Sequence, residues 1–337
     1  MKNFVVTRTP HRISFLGGGS DIKSFYKDNE GLSLSTTIKH YVYVGVKRHS
    51  KFFDEKYRIV YSTTELRNNL KDIKNDIVRE TLKHCKFKDP IYINSTSDLP
   101  SSSGLGSSSA FTVGLLKAIY YLMGIKKNNK DLAKEACHIE INRIKKPIGK
   151  QDQYACSVGG INYLKFQAND SVSIKKNLKT EKFINKILSN SLLIWTGISR
   201  PSEIILSKQV RDLKKGLINT DTLKIKIICE KFYKEASKYN GKNFNELNNF
   251  FIESLNESWN IKKTLNKDIS NNKIEKLIKK IYTLTNDNLG LKLLGAGAGG
   301  FIFVTGIKNV KQFQKKLSQK KVFSLKVNSD SEGSVFL

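Results

Sequence analysis

The chain has 337 residues, 39% of them hydrophobic, enough to bury the core of one large domain or two ordinary ones. The apolar run Phe4 to Val6 is too short for a signal-peptide core, and no run approaches the roughly 18 residues of a membrane helix, so a globular protein of the cytoplasm with no membrane partner is expected. The formal charge is +29, but only nine of the 59 cationic residues are arginine, and the lysines spread over the whole chain without interleaved aromatics; that pattern predicts a solvated lysine surface rather than a nucleic-acid groove.

In chain order, Phe4 to Thr9 and Arg12 to Leu16 read as strands, and Leu32 to Arg48 as a strand pair containing the β-prone "YVYVGVK". A polar segment, predicted helical, runs to about Cys85. Ile91 to Ser95 is a short strand, the serine-rich "DLPSSSGLGSSSAF" follows, and Ser107 to Met123 is a helix apolar on most sides. Asp131 to Arg143 is a second helix, ended by Pro147 and Gly149. "GINYLKF" and "VSIKK" form a hairpin, "LLIWTG" a strand, and Pro201 to about Asn288 a lysine-rich helical region. Strand "GLKLL", loop "GAGAGG", strand "FIFVTG", helix Asn309 to Gln319 and strand Val322 to Val327 close the chain. This order predicts two α+β domains, 1–178 and 179–337. The four cysteines, Cys85, Cys137, Cys156 and Cys229, have no paired spacing and are expected as unpaired buried thiols.

Composition alone would allow the serine-glycine stretch to be a linker, yet it runs straight into an apolar helix. The free N–H groups of a helix's first turn and its dipole form an anion site, and Gly104 and Gly106 would let a phosphate approach the backbone; an ordinary capped helix after a tight turn is the alternative. No Gly-Lys-Ser/Thr follows, so the loop is not a Walker motif. Gly295, Gly297 and Gly300 do spell G-x-G-x-x-G, but a β-rich strand follows where a dinucleotide fold needs a helix, which identifies a tight strand-to-strand loop.

Two carboxylates stand out of pattern. On helical spacing Glu140 falls at the centre of the apolar arc of "DLAKEACHIEINR", where it needs a cation such as Arg143 or a metal ion. Asp152, in "PIGKQDQYACSVGG", is either an exposed loop aspartate or, with Lys150 nearby to hold it ionised, an acceptor for a hydroxyl proton.

Together "RTPHRISFLGGGSD", "LPSSSGLGSSSA" and "KLLGAGAGGFIF" resemble, in order and separation across nearly the whole chain, the three motifs of the GHMP kinases. The resemblance implies an N-terminal domain like ribosomal protein S5 and a ferredoxin-like C-terminal domain with the active site between them, ATP and Mg²⁺ as cofactors, and phosphoryl transfer to an alcohol. "GGGSD" in place of the "GEH" of galactokinase and mevalonate kinase, with "GKQDQYA" and "TGISR", is similar to bacterial D-glycero-D-manno-heptose 7-phosphate kinases and their fucokinase relatives. A sugar phosphate substrate and anomeric phosphorylation are thereby implied.

By position, the resemblance makes Asp152 the catalytic carboxylate and Arg12 the cation beside it and the transferring phosphoryl group. Ser107 and Glu140 become Mg²⁺ ligands, and Pro100, Ser101, Ser102, Ser103, Gly104, Leu105, Gly106, Ser107, Ser108 and Ser109 the phosphate cradle. Gly18, Gly19, Ser20 and Asp21 would meet the sugar, and Gly297, Ala298 and Gly299, within the loop Gly295 to Gly300, would line the site opposite the phosphates. A phosphorylated substrate also calls for cations, for which Lys150 and Arg200 are the candidates, Arg200 being otherwise a surface arginine before a helix. The rival readings are another acceptor within the family, such as fucose or an N-acetylhexosamine, and, from a different class, a basic nucleic-acid-binding protein. The residues set no oligomeric state.

Overall fold

The structure, a computed structural model, describes residues 2–200 and 203–337. Pro201, where the long helical region was expected to begin, lies outside them. Among the described residues the strands are β1 (Phe4–Leu16), β2 (Gly31–Arg48), β3 (Tyr57–Val60), β4 (Thr64–Arg67), β5 (Ile91–Ser97), β6 (Ile161–Phe166), β7 (Val172–Lys175), β8 (Leu192–Trp195), β9 (Gly290–Leu293), β10 (Phe301–Thr305), β11 (Ser324–Lys326) and β12 (Val335–Phe336). They form an eight-stranded sheet, β12-β1-β2-β5-β3-β4 with β6 paired to β2 and β7 to β6, and a four-stranded sheet, β11-β8-β10-β9.

The first two predicted strands join as β1. The pairing with β2 shifts register between Pro10 and His11, as expected where a proline has no N–H to give the ladder. The expected pair Leu32 to Arg48 is one 18-residue strand with no proline and no Asn-Gly or Asp-Gly pair to turn it; its first part pairs with β6 and its last part with β5. The segment after Arg48 is a correction. It forms the hairpin β3–β4 and a short 3-10 turn, Leu70–Asp72, before the helix Asp76–Cys85, because the buried Tyr57 and Ile59 alternate with the half-exposed Arg58 and Val60 at the two-residue period of a half-buried strand.

One face of the large sheet is covered by the helices Asp76–Cys85, Ser107–Leu122, Asn129–Cys137 and Gln151–Val158, with Val44, Val46, Ile91 and Ile93 meeting Val113, Leu116 and Ile119. On the other face Ile13, Phe15, Leu32 and Leu34 share a core with Phe183, Phe232 and Phe251 of three later helices and with Leu193 and Phe303 of the small sheet. Phe15 meets Phe251 and Phe303 edge-on, with ring centroids 5.7 and 5.2 Å away. This common core holds the glycine-rich end of the small sheet against the end of β1. The helical region resolves into Glu203–Lys214, Asn219–Ala236, Phe244–Leu265 and Asn272–Tyr282.

The chain end returns to the large sheet, which its residue types did not foretell. Lys39 N–H donates to Asn328, Gly160 N–H to the Asp330 carbonyl, and β12 pairs with β1. All four cysteines are buried as free thiols. No helix among the described residues is long and apolar enough to cross a membrane.

Candidate active site

A cleft of about 360 Å³ lies where the two sheets meet. Its first wall is the loop before the helix Ser107–Leu122. Gly104 and Gly106 both adopt positive φ, and the N-cap Gly106 offers no side-chain oxygen, so the first-turn N–H groups are left for a ligand. The facing wall is the β9–β10 loop. A Cβ at Gly104 would stand 2.6 Å from the Leu294 carbonyl oxygen, and one at Gly295 2.5 Å from the Gly104 Cα, so the two glycine loops meet backbone to backbone.

At this junction Arg12, only 4% exposed, donates through Nε and Nη2 to the two oxygens of Asp152 at 2.7 and 2.6 Å, and through Nη1 to the Gly104 carbonyl at 2.6 Å. Burial opposes the guanidinium charge, but Asp152 outweighs it and holds Arg12 above its ordinary value. Asp152 sits in the first turn of the helix Gln151–Val158, where the dipole favours a carboxylate. Asp21 lines the same cleft, its oxygens accepting from the Gly19 and Gln151 N–H groups at 3.0 and 3.1 Å. Burial raises its pKa.

Glu140 is fully buried on a π-helical stretch, His138–Arg143, that continues the helix Asn129–Cys137. It accepts from Ser108 Oγ at 2.6 Å, Ser109 Oγ at 2.8 Å and Gln153 Nε2 at 2.8 Å. The cation near it is Lys146, at 3.7 Å; Arg143 pairs with Glu80 instead. Ser107 Oγ is buried without a hydrogen-bond partner at the cleft wall.

Arg12, Gly18, Gly19, Asp21, Ser102, Ser103, Gly104, Gly106, Ser107, Ser108, Ser109, Glu140, Asp152, Arg200, Gly297 and Gly299 therefore converge on one cleft. Several expected residues do not. Lys150 reaches away from Asp152 to the carboxylate and carbonyl of Asp170, both at 3.0 Å, and lies across the Tyr26 ring. Ser20 is buried, its hydroxyl donating to the Gly17 and Leu32 carbonyls. Ala298 turns into the core of the small sheet, Leu105 is buried in the shared core, and the exposed Pro100 and Ser101 lie outside the cleft wall. The residue-level reading also missed Lys146, Gln151, Glu203, Gln209, Lys262 and Lys292, all cleft residues. Lys292 had a signal, a lone charge in the apolar run "GLKLLG"; the others had none.

Residues 71–160 match the model of the GHMP kinases N terminal domain. A D-glycero-alpha-D-manno-heptose 7-phosphate kinase of Campylobacter jejuni is 30% identical over 311 residues, 88% of each chain. Among solved structures, a D-glycero-D-manno-heptose 1-phosphate kinase from Bacteroides thetaiotaomicron superposes with a TM-score of 0.75 at 20% identity, covering 99% of this chain and 98% of that one. A Lactococcus lactis galactokinase complexed with galactose gives 0.73 at 15% identity, covering 100% and 96%. The mixed α/β fold is thus the one seen in those kinases, and the chain belongs to the GHMP kinase family. It is an ATP-dependent phosphotransferase with an alcohol group as acceptor.

Proposed function

We propose that this enzyme transfers the terminal phosphate of ATP to the anomeric hydroxyl of D-glycero-D-manno-heptose 7-phosphate, giving the 1,7-bisphosphate, and that it does so in the cytoplasm. The observation that carries the reading is the bidentate Arg12–Asp152 pair set against the N-terminus of the helix Ser107–Leu122. Phosphoryl transfer asks a protein for in-line positioning, charge neutralisation and one group to take or orient a proton. Each carboxylate oxygen of Asp152, after one bond to Arg12, still has a lone pair for a hydroxyl hydrogen. The Arg12 guanidinium sits beside it to meet charge on the phosphoryl oxygens, while the first-turn N–H groups from Ser107 on receive the nucleotide phosphates. Asp21 and the Gly18–Gly19 backbone are assigned to the sugar hydroxyls. With Lys150 bound to Asp170, Arg200 is the candidate for the 7-phosphate. The heptose assignment draws on the Campylobacter relative and on "GGGSD".

Among the described residues no three His, Cys, Asp or Glu side chains gather to hold a metal ion alone, but Mg²⁺ needs only one or two carboxylates beside substrate phosphates. The partnerless Ser107 hydroxyl and Glu140 fit that requirement as hard oxygen donors. Bound there, Mg²⁺ would neutralise phosphate charge. Every donor around Glu140 points at it, so Glu140→Gln sets an amide N–H₂ against a hydroxyl or the Gln153 amide. The substitution should raise the Mg²⁺ concentration for half-maximal activity by about tenfold; an unchanged titration midpoint would count against ligation.

The chain division 1–178 and 179–337, with an S5-like first unit and a ferredoxin-like second one, is proposed alongside. In its support, β1 to β7 precede the division and β8 to β11 follow it, with β12 crossing back. The assay for the function is ADP release from ATP and Mg²⁺ over a panel of free and phosphorylated sugars. Turnover on heptose 7-phosphate far above all others is expected. Turnover confined to fucose or an N-acetylhexosamine would move the assignment to another branch of the family.

A further inference from the structure

Among the described residues, two of the cleft's cations that lie deeper than the exposed Arg200 have no anion. Arg12 has Asp152 and Lys146 lies beside Glu140. Lys262, half-buried near the end of the helix Phe244–Leu265, instead donates to the carbonyl oxygens of Leu293, at 3.4 Å, and Gly295. Lys292, on β9 and 4% exposed, donates to the Phe15 carbonyl at 2.6 Å. No carboxylate lies within ion-pair distance of either among the described residues. Burial, then Lys292 and Arg12, push Lys262 well below its ordinary value, and burial brings Lys292 down to about 8. A fold that crowds cations in a half-closed cleft leaves them to be neutralised by an anionic ligand.

Position says which part of that ligand. Lys262 is tied to the Gly295 carbonyl, Gly295 abuts Gly104, and the Gly104 carbonyl is held by Arg12. The ammonium and the guanidinium thus grip the two sides of one junction, with Asp152 on the Arg12 side. Two of the three ammonium donors are engaged by carbonyls, and the third is left for the cleft. Arg200, by contrast, is exposed at the cleft edge.

We propose that Lys262 is a second cation on the phosphoryl group in transit, donating to its oxygens beside Arg12, with Lys292 adding charge behind it. The proposal rests on the kinase reading of this cleft. Lys262→Met, measured for ATP and ADP affinity by calorimetry and for kcat and acceptor KM by ADP release, tests it. Loss of a charged donor to transition-state oxygens predicts a fall in kcat of about 100-fold. ATP binding should weaken by about tenfold with ADP and the acceptor KM within twofold, because ADP lacks the group that Lys262 meets. Equal weakening of ATP and ADP would mark a structural role and overturn the proposal. A raised KM for the phosphorylated acceptor with kcat intact would assign Lys262 to the acceptor's own phosphate and overturn it too. Lys262→Gln, which keeps donors for the same carbonyls, repeats the comparison should the methionine variant fold poorly. The nucleotide comparison needs no acceptor, so a wild-type protein that binds no ATP would sink the kinase reading separately.

Discussion

Asp152→Asn is expected to lower kcat by about a thousandfold, within the range that a positioned proton acceptor supplies, while ATP affinity stays within about threefold. Asparagine has the size of aspartate and keeps one oxygen for Arg12, so the helix Gln151–Val158 has no steric reason to move. It has no negative charge to orient the acceptor hydroxyl and cannot take its proton. Its N–H₂ also faces one guanidinium nitrogen where an oxygen accepted at 2.6 or 2.7 Å. The nucleotide phosphates are held, in this reading, by the backbone N–H groups of the helix Ser107–Leu122 and not by Asp152. Single-turnover kinetics with ATP binding measured separately decide the matter. A variant that turns over within tenfold of wild type would show that no essential proton passes to Asp152.

Arg12→Met should damage both turnover and stability, and the combination distinguishes it from the aspartate variant. Arg12 is buried and joins three parts of the chain: its own strand β1, the Gly104 carbonyl of the phosphate loop, and Asp152. Removing one member of a buried pair leaves the other uncompensated, at a cost of about 3 kcal/mol. That figure is the low end of the usual range, because a quarter of the Asp152 side chain still meets water. The catalytic loss should reach about 100-fold or more, as for other cations that meet developing charge. Arg12→Lys keeps the charge and loses the two-pronged geometry, so it should recover stability more than rate. Because Arg12 and Asp152 act as one unit, the double variant should lose far less than the product of the single losses. Denaturant melts and kcat for the four proteins check this; fully additive effects would mean that the observed pair is not a functional one.

The sequence carried the site better where the signal was a conflict than where it was a count. Glu140 disobeyed the apolar arc of its helix, and the structure buries it completely among three donors. The serine-glycine loop disobeyed the composition of a linker by leading into the buried helix Ser107–Leu122, and it forms a cleft wall. Lys150 failed as a partner for Asp152 because nearness along the chain does not fix where a side chain points. At the start of the helix Gln151–Val158 the backbone turns Lys150 outward to Asp170, whose carboxyl, against the cost of burial, is held below its ordinary range by Lys23, Tyr26 and Lys150. Lys262 was invisible among 59 cations, since only the packing of a distant helix brings it to Gly295. The hairpin β3–β4 was missed because its polar residues hid the alternation of Tyr57 and Ile59. The returning β12 is two residues long, below any period that a pattern can show.

The position of the new phosphate on the product tests transfer to the anomeric hydroxyl directly. Phosphorus–proton correlation NMR on a reaction of the wild-type enzyme with heptose 7-phosphate, ATP and Mg²⁺ reads it without relying on any variant. A new phosphorus signal coupled to the anomeric proton is expected, growing in step with ADP, beside the unchanged signal of the 7-phosphate. A product phosphorylated elsewhere on the sugar, or ADP formed with inorganic phosphate alone, would contradict anomeric transfer.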